Sequence, residues 1–253
     1  MPATPAWPPR STPRLYIDGE IAPGATVALD PAQARYLVAV MRRGEGDPVR
    51  LFDDRTGEYL ARIARADARK GSVVVEQRLA PREEVPDLWL CASPIQRDNF
   101  ALVAEKACEL GVRRFVPVAM RRSVVRKINA ERLQRRMVEA AEQCGRTALP
   151  ELAETRDLAA LLDAWPQGRT LFFADELGGV PAPRAFAAAP GPAALLVGPE
   201  GGFDDAEREA IRALPAARPV ALGPRILRAE TAAMAATALW MATCGDWHAE
   251  TQA

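Results

Sequence analysis

Two short stretches constrain the fold of this chain more than any other feature. They are Leu195-Leu196-Val197-Gly198-Pro199-Glu200-Gly201-Gly202-Phe203-Asp204 and Leu222-Gly223-Pro224-Arg225-Ile226-Leu227-Arg228-Ala229-Glu230-Thr231. In each, an apolar run ends in Gly and Pro, and polar residues then lead into a segment of helical composition. Such strand-to-helix junctions belong to open α/β sheets, which bind ligands outside the carboxyl ends of their strands. Two junctions this close in sequence can build one pocket, and together they form the candidate site. The glycines of the first permit positive φ and close backbone approach to a ligand. Asp204 followed three residues later by Glu207 is a capping-box arrangement, and a carboxylate at that cap competes with phosphate for the helix N-terminus. Neither GxxxxGK[ST] nor GxGxxG occurs at either junction, so no phosphate cradle is expected. In the second junction Arg228 and Glu230 are too close in sequence to pair across a helical face at i,i+4.

The neighbouring segments fit such a sheet. Ala193 to Val197 reads as a buried strand, and the Ala-rich run after Thr231 as a helix to about Cys244 with Gly245 as its stop. Asp87 to Ala92 is a strand, followed by a helix that Asp98 can cap and Gly111 can end, with Phe100, Val103, Ala104 and Ala107 inward. Phe115 to Ala119 is the returning strand, which gives a βαβ unit and hence a parallel sheet. A helix from Ala130 to Cys144 turns Leu133, Met137, Ala140, Ala141 and Cys144 inward and delivers Gln143 and Arg146 to its end. Asp157 to Trp165 is an amphipathic helix and Thr170 to Ala174 a strand. Leu177 to Gly191 reads as a loop with one helical turn.

From Arg14 to Ala80 the pattern is different. Strand-like runs (Arg14 to Ile17, Val49 to Phe52, Tyr59 to Ala64, Ser72 to Gln77) alternate with turn residues such as Asp18-Gly19 and Pro23-Gly24. Ala32 to Arg42 is a helix by its apolar spacing. A small β-barrel is expected, followed by a linker, Pro81 to Pro86. Ahead of it, Met1 to Arg14 carries Pro2, Pro5, Pro8, Pro9 and Pro13 without an apolar h-region, and reads as a mobile tail.

Charge narrows the partners only locally. The chain has 33 basic and 33 acidic side chains, so its net charge steers nothing. Arg113 to Arg136, however, holds nine basic residues against Glu131 alone. Such an excess is either a solvated face or a contact for phosphates, with Arg121, Arg122 and Arg126 as the contacts in the second case. The four cysteines lack CxxC spacing and the single His248 lies near the C-terminus. A zinc site or disulfide framework is therefore not expected, and a reduced, cytoplasmic setting fits. No apolar run reaches the roughly 18 residues of a membrane span.

The runs LLVGPEGGFDDAE and LGPRILRAETA, with EKACELGV (Glu105 to Val112) and AAEQCGR (Ala140 to Arg146), resemble the RsmE family of bacterial 16S ribosomal RNA uridine-N3 methyltransferases, of the SPOUT class. Gln96 stands where similar proteins usually have Lys. The resemblance implies an α/β domain with a deep trefoil knot over 87–247 and a PUA-like RNA-binding barrel over 14–80. The segments 1–13 and 248–253 are left as tails and 81–86 as the linker. It implies S-adenosylmethionine as cofactor, S-adenosylhomocysteine as product, no metal, a homodimer, and 16S rRNA within the 30S subunit as partner. Leu196, Gly198, Pro199, Glu200, Gly201, Leu222, Gly223, Arg225, Ile226, Leu227 and Thr231 would hold the cofactor. Arg228 would stabilise a uracil anion and Glu230 take its proton, while Gln143 and Arg146 position the nucleotide. Alternatives are a SPOUT enzyme for a ribose 2′-hydroxyl or a transfer-RNA base, and a non-catalytic RNA-binding assembly factor.

Overall fold

The computed structural model describes residues 11–125 and 127–247. Arg126 and His248, both singled out by the sequence, lie outside the described residues. Two compact units are present. The first comprises the described residues up to Glu84 together with Ala141–Ala148, and the second Val85–Ala140 together with the chain from Leu149 onward.

The first unit is built on a five-stranded sheet in the order β1 (Arg14–Tyr16), β3 (Pro48–Phe52), β4 (Gly57–Arg65), β5 (Ser72–Pro81), β2 (Thr26–Ala28). β1 pairs parallel with β3 and the remaining pairs are antiparallel. Alternating residues of these strands (Leu15, Val49, Leu51, Ala61, Ile63, Val73, Val75) fill one core, as a two-residue side-chain period requires. Three register shifts between β4 and β5 increase the local twist and bend the sheet around that core. The short helix α1 (Pro31–Arg35) starts at a capping box of Asp30 and Gln33 and runs on as a π-helix over Tyr36–Val40. Asp53 anchors the turn between β3 and β4. Its buried carboxylate accepts from the amides of Ile21 (2.9 Å), Arg55 (3.0 Å) and Gly57 (3.1 Å) and from the Thr56 hydroxyl (2.6 Å). Ala141–Ala148 joins this unit through backbone contacts: the Arg14 guanidinium donates to the carbonyls of Ala141 and Arg146, and Glu83 accepts from the amides of Thr147 and Ala148.

The second unit is a three-layer α/β structure. Its sheet has β6 (Leu88–Ala92), β7 (Arg114–Ala119), β8 (Glu151–Leu152), β10 (Thr170–Ala174), β11 (Val180–Pro181), β12 (Ala193–Val197) and β13 (Ala217–Ala221), and β9 (Arg156–Asp157) pairs with β7 off the main path. The order is β11-β13-β10-β12-β6-β7-β8, and every pairing is parallel. Helices α2 (Arg97–Glu109), α5 (Ala182–Ala188) and α7 (Ala229–Cys244) cover one face, and α4 (Leu158–Asp163) and α6 (Asp205–Ala213) the other. α3 (Ala130–Cys144) follows β7. With both faces covered, central strands must be apolar on both sides, and β12 is buried throughout. On β10, Leu171 and Phe173 enter the core beneath α4 and α6, whereas Phe172 meets Phe186 of α5 with ring centroids 4.8 Å apart.

Four expectations from the sequence need correction. Cys144, expected to face inward at the end of α3, is exposed. The cap of α2 is Gln96, with Asp98 inside the first turn. The Leu177 to Gly191 stretch contains β11 and the seven-residue α5, with Pro183 in the first turn, where a missing N–H costs nothing. The basic run is also not left uncompensated, because acids distant in sequence meet it. Arg114 pairs with Glu151 (3.2 Å), Arg121 with Asp204 (3.4 Å) and Arg132 with Asp98 (2.5 Å), while Arg136 pairs locally with Glu139 (3.2 Å).

Candidate active site

The carboxyl ends of β6, β10, β12 and β13 converge on one cavity of about 720 Å³. The chain runs from β12 back across β10 to reach β13, so the strand order reverses at this point. This is the switch-point crevice where open α/β sheets bind ligands. The volume suits a ligand of nucleoside size.

The first junction forms one wall through Gly198, Pro199, Glu200 and Gly201. A turn closed by the Gly202 amide on the Pro199 carbonyl (2.9 Å) folds it back. Gly202 has φ +68, and a Cβ there would lie 2.5 Å from Oε1 of Glu176, so this position accepts only glycine without rearrangement. The Phe203 ring packs behind Gly198, within 3.2 Å of where a Cβ would stand. Helix α6 then starts at the expected capping box: Asp204 accepts from the amides of Ala206 and Glu207, and Glu207 accepts from the Asp204 amide. Burial alone would raise the pKa of Asp204, but its bonds to the Glu207 and Ala206 amides and the nearby Arg121 hold it below the usual value. The first amides of α6 are thereby occupied.

The second junction supplies the opposite wall with Leu222, Gly223, Arg225, Ile226, Leu227, Arg228 and Glu230. Arg228 is the N-cap residue of α7 but makes no side-chain capping bond. Neither Arg225 nor Arg228 has an ion-pair partner among the described residues. Their charge is therefore available to a ligand. Glu230, in the first turn of α7, accepts from Nδ2 of Asn99 on α2 (3.3 Å).

Sequence reasoning did not pick out Asn99, Asp175 or Glu176, and treated Gln96 only as an unusual residue; all four line the cavity. The side chain of Asp175 is fully buried between Arg208 (3.2 Å) and Arg212 (2.7 Å), and Glu176 pairs with Arg208 from the adjacent position. An acidic pair directly after a strand was the available signal, since an acid at a strand end commonly meets a ribose in α/β folds.

Other expected contacts fall elsewhere. Leu196 is buried in the core between β12 and α6, and Thr231 is exposed beside the cavity without lining it. Arg121 reaches Asp204, and Arg122 donates to the carbonyls of Gly201 (2.8 Å) and Phe203 (3.2 Å). Gln143 is exposed in the first unit. Arg146 is 5% exposed there and lies 3.7 Å from Glu83.

A parallel sheet with a crevice at its switch point defines an open α/β protein with a small-molecule site. The family model for an RNA methyltransferase domain matches residues 82–241, and that for an RNA methyltransferase PUA domain matches residues 29–76. The chain belongs to the family of ribosomal RNA small subunit methyltransferase E. It is 30% identical to the Synechocystis protein of that name over 233 residues, covering 89% of this chain and 76% of that one. Identity to the Rickettsia conorii protein of that name is 28% over 229 residues, or 89% and 93% of the two chains. The crystal structure of the Neisseria gonorrhoeae protein of that name, bound to S-adenosyl methionine, superposes with a TM-score of 0.85 at 26% identity, covering 93% of this chain and 99% of that one.

Proposed function

We propose that this chain transfers a methyl group from S-adenosylmethionine to N3 of a uridine in 16S rRNA. The observation that carries the proposal is the cavity at the strand ends, lined by Arg228, which has no ion-pair partner among the described residues, and by the Asn99-held Glu230. The residues present fit this cofactor. It has no phosphate, and the α6 N-terminus that a phosphate would need is already capped by Asp204. It is cationic at sulfur, and the carboxylates of Glu200 and Glu230 are among the lining groups that can face that charge. Backbone and apolar side chains from both junctions offer an adenine a flat slot, with Glu176 placed at a strand end to accept from ribose hydroxyls.

When bound, the cofactor supplies an electrophilic methyl group. The chain's own residues do the rest. Uracil N3 carries a proton that must leave before or as the N–C bond forms, so a base and a cation near the uracil oxygens are both required. Arg228 stabilises the negative charge that spreads onto those oxygens. Glu230 takes the N3 proton, and the Asn99 amide holds the receiving carboxylate in place. The methyl group ends on N3, the proton on Glu230, and S-adenosylhomocysteine leaves. The 30S subunit as the form recognised, a homodimer with the cavity at its interface, trefoil threading and a cytoplasmic setting belong to the same proposal. Ile226, which lines the cavity and is 91% exposed, is an apolar side chain that such a partner would cover. Incubation with methyl-labelled cofactor and 30S subunits lacking the modification tests the reading. Label is expected in 16S rRNA, and none in any RNA fraction would refute it.

A further inference from the structure

Arg122 sits in the basic run that the sequence offers to RNA, yet its guanidinium is engaged elsewhere. One terminal nitrogen donates to the carbonyl of Gly201 at 2.8 Å and to that of Phe203 at 3.2 Å. Two carbonyls that flank Gly202 thus converge on a single donor. Together with the Gly202–Pro199 turn, this fixes the curvature of the loop that forms one wall of the cavity. The segment presenting Arg122 is itself braced. The Ser123 hydroxyl accepts from the Met120 amide (2.9 Å) and shares a hydrogen bond with the Ser93 hydroxyl (2.6 Å). The Ser93 amide bonds the Val197 carbonyl (3.0 Å), and the Arg121 amide bonds Glu207 of the α6 capping box (2.7 Å). Residues 120–123 are therefore a bracket joining the exits of β6 and β12 to the start of α6.

We infer that Arg122 is a positioning residue for the cofactor loop and not an RNA contact. The inference rests on the proposed use of the cavity for S-adenosylmethionine. A Gly-Gly segment loses more conformational freedom on ordering than any other, so a loop of this composition binds weakly unless something holds it ready. Arg122 performs that holding before ligand arrives, using charge-assisted bonds to backbone acceptors. Arg121 and Arg122 are both exposed, but the side chain of Arg121 has only a 3.4 Å link to Asp204, which leaves it able to turn to a phosphate.

The test compares full-length wild type, Arg122→Ala and Arg122→Lys by titration with S-adenosylhomocysteine, by amide hydrogen exchange, and by the salt dependence of RNA binding. Arg122→Ala is expected to weaken S-adenosylhomocysteine about tenfold, equivalent to ~1.4 kcal/mol. Arg122→Lys, which keeps the charge but not the planar fork, should lose only part of that. Exchange at residues 201–203 should quicken in both variants while the strands of the second unit keep their protection. The slope of log affinity against log salt should be unchanged. An unchanged affinity for S-adenosylhomocysteine, with a salt slope lowered by about one, would overturn the inference and make Arg122 a phosphate contact. If wild type itself binds no S-adenosylhomocysteine, the cofactor reading fails, and the exchange measurement decides Arg122 alone. Faster exchange at 201–203 then keeps the clamp, and unchanged exchange removes it.

Discussion

Replacing Gly202 with Ala is the sharpest structural perturbation of the cavity. The backbone there is at φ +68, and the new Cβ would meet Glu176 Oε1 at 2.5 Å and Cδ at 3.1 Å. Holding an L-residue in this left-handed region costs about 1–2 kcal/mol. The Glu176 side chain is flexible enough to retreat, but retreat breaks its pairing with Arg208, whose side chain is only 9% exposed. Adding roughly 1 kcal/mol for that partly screened pair gives a total of about 2–3 kcal/mol. If the bound state needs the loop as it stands, S-adenosylhomocysteine affinity should fall by about 30-fold or more. A denaturant-unfolding cycle separates the two contributions. Gly202→Ala and Glu176→Ala should be less than additive by about 1 kcal/mol, because removing the carboxylate removes the clash. Strict additivity, or a Gly202→Ala affinity within threefold of wild type, would refute the reasoning.

Two further predictions concern charge. Asp53→Ala strands several amides inside the first unit and should destabilise it by about 3 kcal/mol, read as a lower unfolding midpoint. Burial pushes the Asp53 carboxyl up, but hydrogen bonds from Thr56, Ile21 and Arg55 outweigh it and hold it below the usual range. Its contribution is thus complete above the unfolded value of about 4 and is lost as pH falls through the lower folded value. Melting of the wild type followed down to pH 2 should show that loss, and Asp53→Asn should flatten it. Arg228→Ala should lower methyl transfer by about 100-fold while S-adenosylhomocysteine affinity stays within threefold. Near-normal turnover would exclude Arg228 from the chemistry.

The parts of the fold that were legible in the sequence depend on local interactions. The Asp204–Glu207 capping box, the buried β12 and the stop at Gly245 are all encoded within a few residues of where they act, and the structure places them as read. The α5 helix was not legible because its support is tertiary: Phe186 is held by Phe172 from a strand earlier in the chain. The cap of α2 is not legible because Asp98 is a favoured capping residue by type, whereas Gln96 takes the position without any side-chain bond. Within the site, the two junctions carry their own signal, and so does the acidic pair Asp175-Glu176 directly after β10. Asn99 does not, since it matters through Glu230, far along the chain. The basic run shows the same limit in reverse. Its excess charge is compensated by Asp98, Glu151 and Asp204, which lie outside the run in sequence and meet it only in the fold.

In the proposed reaction the two junction loops and Arg228 direct a methyl group to a uracil nitrogen of small-subunit RNA. Nucleoside mass spectrometry of 16S rRNA, methylated in vitro by the purified chain on 30S subunits lacking the modification, tests it most directly. One new 3-methyluridine per 16S molecule is expected, formed about 100-fold more slowly by Arg228→Ala. A ribose-methylated nucleoside in its place, or an unchanged nucleoside profile, would contradict it.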